Sequence, residues 1–157
     1  MTDASNTNPG GENHTRVVVG VDGSPSSIGA LHRAIRVARA LDCDVVALAA
    51  WSYPPMYGGS PATAWSPEQD AIDILTGVTK DVFGDDVPDW FIAEVHQGTP
   101  TQVLLDASEG AEMLVVGSRG HGGFAGLLLG SVSSACAEYA KCPVLIYHDE
   151  STQTLHE

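Results

Sequence analysis

Apolar and polar residues are arranged along the chain in blocks that predict strands and helices in turn. Largely apolar runs at 16–22, 44–51, 112–117 and 144–147 are typical of strands covered on both faces of a parallel sheet. Residues 90–97 predict a further strand, in which polar and apolar residues alternate as they do at the edge of a sheet. The pattern therefore predicts five strands.

Helices are predicted between these strands, because three of the intervening segments begin with a capping Ser or Thr followed by proline, and the fourth helix is expected to open at Ser131. The four start signals are Ser24-Pro25, Ser66-Pro67, Thr99-Pro100 and Ser131. Regular alternation of strand and helix predicts an α/β fold with a parallel sheet and right-handed crossovers.

Length and composition favour one globular domain. The chain has 157 residues, of which 43% are hydrophobic. We expect the domain at 16–148, with flexible polar tails at 1–15 and 149–157. No apolar run reaches the roughly 18 residues of a membrane span, and the polar amino terminus does not resemble a signal peptide. A cytoplasmic location is therefore expected.

The charge and the cysteines limit the partners further. The formal net charge is −13, whereas nucleic acids and anionic membranes require clustered positive charge, so neither is expected as a partner. Cys43, Cys136 and Cys142 form no CxxC pair and are expected to be reduced thiols that behave as small buried hydrophobes.

Glycines are concentrated between the fourth strand and the fourth helix, from Gly117 to Gly130. A glycine-rich loop before a helix directs bare N–H groups and the positive end of the helix dipole at one point, which suits phosphate without a lysine. The hydroxyls of Ser131 and Ser133 can donate further hydrogen bonds there. Because ligands of open parallel sheets bind where the strand order reverses, we expect Asp22 and Gly117 to flank the crevice.

Two simpler interpretations stay open for these residues. Asp22, Gly23 and Ser24 could form only a turn and a helix cap, and the glycine loop could be only a flexible crossover. An ionised Asp22 is acceptor-only, which suits ribose hydroxyls or magnesium better than phosphate. Residues 114–137 contain no acidic side chain and only one fixed charge, Arg119, so the global charge does not oppose a phosphate ligand locally.

Several other nucleotide and hydrolase motifs are absent from the sequence. The chain has no GxxxxGK[ST] P-loop, no GxGxxG after the first strand and no GxSxG nucleophile elbow. Flavodoxins place their phosphate loop after the first strand, whereas here the glycine loop follows the fourth. Response regulators need a lysine at the end of the fifth strand, and Tyr147-His148 supplies none.

The glycine loop has the spacing Gly-x2-Gly-x9-Gly-Ser, formed by Gly117, Gly120, Gly130 and Ser131. Nucleotide-binding members of the universal stress protein family carry this pattern after their fourth strand, and the chain resembles that family. The opening VVVGVDGSPSS, the tripeptide Gly98-Thr99-Pro100 and the closing CPVLIY are also similar to the family. The resemblance covers about residues 16–148, which is the whole predicted domain.

The resemblance implies a five-stranded parallel sheet of order 3-2-1-4-5, with helices on both faces, that binds ATP. AMP, ADP and cAMP are alternative ligands, and Mg²⁺ or Mn²⁺ would be held by the phosphates. By the family's pattern, Asp22 lies beside the ribose and the backbone near Ala50 meets the adenine. The implied nucleotide-binding residues are Asp22, Gly23, Ser24, Ala50, Gly117, Ser118, Arg119, Gly120, Gly130, Ser131, Val132 and Ser133.

The expected function is an ATP-binding protein of stress response or signalling that binds nucleotide rather than turning it over, so no catalytic residue is assigned. The alternatives are a slow ATPase or a nucleotidyl or phosphoryl transferase using His121 or Ser131, and a sensor of cAMP or another nucleotide. Many family members dimerise through the fifth strand. Val144–Tyr147 is apolar on both faces although it would be an edge strand, which also favours a homodimer.

Overall fold

The computed structural model describes residues 15–55, 65–120 and 129–149. The strands of this part of the chain are β1 (Arg16–Gly20), β2 (Asp44–Trp51), β3 (Phe91–Gln97), β4 (Met113–Gly117) and β5 (Val144–Tyr147). The helices are α1 (Pro25–Leu41), α2 (Pro67–Phe83), α3 (Pro100–Ser108) and α4 (Ser131–Tyr139). The sequence pattern predicted all nine elements, with strand ends within two residues. The tails were predicted at 1–15 and 149–157, and of these residues 1–14 and 150–157 lie outside the described part of the chain.

The five strands form one parallel sheet in the order β3-β2-β1-β4-β5, which confirms the order implied by the family resemblance. Strand β1 lies in the centre, where Val18 is aligned with Val46 on β2 and with Leu114 on β4. It ends earlier than predicted because the Asp22 N–H donates to the Ser27 Oγ at the start of α1, 3.2 Å away. At Asp22 the backbone N–H is therefore bonded to the following helix and no longer to a neighbouring strand.

Alternate side chains of the central strand pack against opposite helix layers. Val17 and Val19 face the layer that contains α1 and α2, whereas Val18 faces the layer that contains α3 and α4. All three side chains are fully buried. This explains why β1 is a continuous apolar run rather than an alternating one.

The two edge strands of the sheet differ in how far their residues are buried. On β3 only Phe91 is buried, and the exposed positions include Glu94 and His96, which confirms the edge predicted from the alternating pattern. Every residue of β5 is half-buried.

Among the helices of the described segments, none has the length and apolarity to cross a membrane.

Three of the four helices begin with a side-chain cap, and the fourth does not. Ser24, Ser66 and Thr99 each accept a hydrogen bond from a backbone N–H in the first turn of their helix, as predicted. At the start of α4 the cap position is Gly130, which has no side chain to offer. The first-turn N–H groups of α4 therefore lack the cap acceptor that the other three helices have.

Two of the three cysteines predicted to be buried are so, Cys43 and Cys136, whereas Cys142 is only half-buried. Cys136 on α4 is fully buried, and Cys142 lies before β5. Burial, with a smaller contribution from the neighbouring Cys142, raises the pKa of the Cys136 thiol to about 11. This thiol is therefore protonated at neutral pH and behaves as a small apolar group.

Helix α1 approaches β5 closely at one glycine. A Cβ atom built at Gly29 would overlap the ring of Tyr147, with the ring Cζ only 2.7 Å away. Glycine thus allows the aromatic ring to lie directly against the helix backbone. By contrast, a Cβ at Gly77 in α2 would meet nothing within 4 Å.

These two glycines predict opposite effects of one substitution. Gly77→Ala should raise the free energy of unfolding by about 0.5–1 kcal/mol, because alanine is the better helix former. Gly29→Ala should lower it by about 1–3 kcal/mol, because the added methyl displaces Tyr147. Urea denaturation of both variants beside the parent protein measures the difference. Equal stabilisation by the two substitutions would refute the close contact with Tyr147.

Candidate functional site

A cavity of about 690 Å³ opens at the carboxyl ends of β1, β2 and β4. This volume lies within the range of about 300–1,000 Å³ that is usual for small-molecule sites. Nine of the twelve residues implied by the family pattern line it: Asp22, Ala50, Gly117, Arg119, Gly120, Gly130, Ser131, Val132 and Ser133. The other three, which are Gly23, Ser24 and Ser118, are not among its lining residues.

The turn after β1 both caps α1 and orients Asp22. The Ser24 N–H donates to the Asp22 Oδ1 at 2.9 Å, and the Ser24 Oγ accepts from the Ser27 N–H at 3.2 Å. Gly23 allows this turn because its φ of 83° is in the left-handed region. The simple turn-and-cap interpretation thus describes Gly23 and Ser24, while the carboxylate of Asp22 lies at the cavity wall.

The first two glycines of the loop allow close approach between chain segments. A Cβ at Gly117 would lie 2.8 Å from the backbone carbon of Ser26, so glycine is required there for α1 to pack against the end of β4. A Cβ at Gly120 would lie 2.9 Å from the Asp22 Oδ2. The two sides of the crevice, which are far apart in sequence, are therefore brought together at these glycines.

The two ends of the glycine loop meet at the carbonyl of Ser118. The Gly130 N–H donates to the Ser118 O at 2.7 Å. The Ser133 Oγ lies 3.1 Å from the Ser118 O and 3.1 Å from the Gly130 O. The backbone of Ser118 thus supports the loop, although its side chain is not part of the cavity wall.

The polar side of the cavity consists mostly of backbone and hydroxyl groups. It contains the uncapped start of α4, where Ser131 is exposed and the helix dipole is positive. The ionisable side chains among the described lining residues are Asp22 and Arg119, whose charges are opposite. No group of three or more His, Cys, Asp or Glu able to hold a metal occurs in the described segments. His121 of the loop lies outside those segments.

The cavity also has an apolar wall that the sequence pattern did not predict. It is formed by Pro100, Val103 and Leu104 of α3 together with Leu48 and Val116 of the sheet. For α3 the sequence predicted only a start at Thr99-Pro100. Nothing in the local sequence indicated that one face of this helix reaches the cavity. The site therefore combines an apolar wall with a backbone surface suited to an anion.

Comparison with known proteins places this site in a family. The universal stress protein family model matches residues 13–148. The universal stress protein Rv2623 of Mycobacterium tuberculosis is 37% identical over 143 residues, which are 87% of this chain and 46% of that protein. The chain thus spans about half the length of the curated relatives it matches.

Solved structures agree with this comparison. The universal stress protein UspA from Lactobacillus plantarum has a TM-score of 0.70 at 20% identity, over 87% of this chain and 99% of that chain. A universal stress protein solved in complex with cAMP has a TM-score of 0.64 at 28% identity, also over 87% of this chain and 99% of that chain. By sequence and by fold, the chain belongs to the universal stress protein family.

Proposed function

We propose that this protein binds an adenine nucleotide in the cavity between β1, β2 and β4, and that it acts in stress response or signalling by binding rather than turnover. The observation that carries the proposal is the uncapped start of α4, which lines a cavity that also has an apolar wall. A nucleotide has the matching chemistry, because one end is an aromatic base and the other is an anion.

The phosphates bind at the glycine loop and the first turn of α4. The N–H groups of Ser131, Val132 and Ser133 belong to this turn, where no side-chain cap takes them up. The positive end of the helix dipole and the Arg119 side chain favour an anion there. Backbone groups thus supply most of the phosphate contacts, which explains how an acidic protein can bind an acidic ligand.

The base and the ribose bind at the strand ends. Leu48 and Ala50 of β2 and the wall from α3 offer an apolar surface to adenine, with backbone groups near Ala50 to meet its edge. Asp22, oriented by the Ser24 N–H, accepts hydrogen bonds from the ribose hydroxyls. The base, the ribose and the phosphates of a nucleotide then contact three chemically different parts of the cavity wall.

A divalent metal fits this site only together with phosphate. Mg²⁺ is usually held by one or two carboxylates plus substrate phosphates, and Asp22 is the carboxylate among the described lining residues. Bound Mg²⁺ or Mn²⁺ would neutralise phosphate charge. We therefore expect a metal requirement for ATP and none for a ligand with a single phosphate.

A cAMP sensor is the second candidate function. It is favoured by the relative that is 28% identical and was solved with cAMP.

The first test is direct detection of the ligand. Protein purified without added nucleotide and then denatured should release an adenine nucleotide, identified by its mass and ultraviolet spectrum. Calorimetry on the nucleotide-free protein should show saturable binding of ATP with Mg²⁺, and competition with cAMP should rank the two ligands. Absence of both a released nucleotide and a binding heat would refute the proposal.

The second test separates backbone from side-chain contacts to phosphate. A Cβ at Gly130 would make only ordinary contacts, the nearest being 3.5 Å to the Ser118 O, so Gly130→Ala should fold normally. Gly130→Val should abolish nucleotide binding, because its branches block approach to the backbone.

The matched substitution in this test is Ser131→Ala. It should weaken binding by about 1.5–3 kcal/mol, the contribution of one charge-assisted hydrogen bond. Calorimetry compares the variants, and circular dichroism checks their folding. Equal losses from Gly130→Val and Ser131→Ala would argue against a phosphate site built mainly from backbone.

We further propose that the protein forms a homodimer through β5. This strand is an edge of the sheet, yet its four residues are half-buried and apolar on both faces. An uncovered apolar edge favours pairing with another chain.

A lysine at each edge of the sheet tests the dimer. Ile146→Lys on β5 should shift the dimer to monomers in analytical ultracentrifugation, because a buried charge opposes edge pairing. The control is Ile92→Lys on β3, where the parent side chain is 39% exposed, and it should leave the dimer intact. A parent protein that sediments as a monomer at high concentration would contradict the assembly.

A further inference from the structure

We infer that Ser133 is a positioning residue of the proposed nucleotide site. Its hydroxyl, with the Gly130 N–H, closes the base of the glycine loop on the carbonyl of Ser118, and this closure holds the first turn of α4 in the orientation that receives phosphate. The inference rests on the proposed function and adds to it a residue that acts through the loop rather than on the ligand.

The side chain of Ser133 faces inward rather than towards solvent. The residue is 2% exposed, and its Oγ is 3.1 Å from each of two backbone carbonyls, Ser118 O and Gly130 O. A hydroxyl has a single hydrogen, so this group donates to one of these two acceptors at a time. While it does so, it cannot also donate to a phosphate.

The acceptor of this bond is itself held by the sheet. The Ser118 N–H donates to the Tyr147 O of β5 at 2.8 Å, so the peptide group before the Ser118 carbonyl is tied to the neighbouring strand. The Ser118 carbonyl then has Gly130 N at 2.7 Å and Ser133 Oγ at 3.1 Å, which matches the two lone pairs of a carbonyl oxygen. The first turn of α4 is thereby attached directly to the sheet.

This attachment fixes the first turn of α4 without acting as a cap, because the Ser133 hydroxyl donates to a carbonyl rather than accepting from a first-turn N–H group. Ser133 is the third residue of the helix, and its hydroxyl reaches back to the Gly130 carbonyl as well as across to Ser118. Losing the hydroxyl should let the first turn fray and its N–H groups lose their common direction. Phosphate binding would then have to order that turn, which lowers the affinity for the ligand.

The main experiment compares a ligand that has a phosphate with one that lacks it. In Ser133→Ala, the dissociation constant for AMP should rise about tenfold, as expected for one lost hydrogen bond and a partly unsatisfied carbonyl, while that for adenosine changes less than about twofold. Isothermal titration calorimetry measures both constants. Equal losses for AMP and adenosine, or no loss for AMP, would overturn the inference.

The matched control is Ser108→Ala. Ser108 is also fully buried, and its Oγ donates to the Leu105 O at 2.6 Å and accepts from the Lys141 N–H at 3.1 Å, but it is not among the residues that line the cavity. Ser108→Ala should lower the free energy of unfolding and leave the ratio of AMP to adenosine affinity unchanged. A change in that ratio equal to that of Ser133→Ala would reduce the Ser133 effect to general destabilisation.

A pair of substitutions with the same shape isolates the hydroxyl and decides the matter if Ser133→Ala does not fold. Ser133→Thr keeps the hydroxyl and should keep the preference for AMP over adenosine, whereas Ser133→Val should lose it. The same result for Thr and Val would overturn the inference.

Hydrogen exchange on the nucleotide-free protein tests the closure without any ligand. The Gly130 amide should exchange at least tenfold faster in Ser133→Ala than in the parent protein or in Ser108→Ala, because its hydrogen bond to the Ser118 O is no longer supported. Unchanged protection would overturn the inference. Failure of the parent protein to bind AMP, ATP or cAMP, together with faster exchange at Gly130 in Ser133→Ala, would instead refute the proposed function and leave the closure standing.

Discussion

The parallel pairing of β1 with β2 on one side and β4 on the other is the constraint on which the cavity depends. The connections that follow β1 and β4 lead to helices on opposite faces of the sheet, α1 and α4. The chain therefore separates at the carboxyl ends of two neighbouring strands, and a crevice opens between them. Asp22 and Gly117 lie on its two sides, at the points where their strands end.

The closeness of packing at this crevice explains the glycines better than loop flexibility does. Gly117 admits Ser26 of α1, and Gly120 admits the carboxylate of Asp22, so both positions serve contacts within the protein. Gly130 differs, because a Cβ there would fit; its part in the site is the absence of a capping side chain at the start of α4. A net charge of −13 does not prevent an anion from binding here, since the described lining has balanced side-chain charges and a helix dipole.

Much of this architecture could be predicted from local sequence. The caps at Ser24, Ser66 and Thr99 and the edge character of β3 follow from short-range signals, because hydrogen bonding within a turn and alternation along a strand involve near neighbours. The early end of β1 was not predicted, since it depends on a bond from the Asp22 N–H to a side chain of the following helix. Whether the implied residues bind nucleotide stays a prediction.

The sequence by itself determined the order of strands and helices, the helix starts and the position of the glycine loop, because each depends on residues a few positions apart. Only the tertiary structure decided that the wall from α3, including Val103, completes the cavity, and that Ser133 and Gly130 meet at the carbonyl of Ser118. Ser118 and Ser133 are 15 residues apart in the sequence. The Arg119 N–H donates to the Ser26 Oγ, which is 93 residues away. Such contacts depend on how helices pack against the sheet, and that packing cannot be predicted from a local sequence pattern.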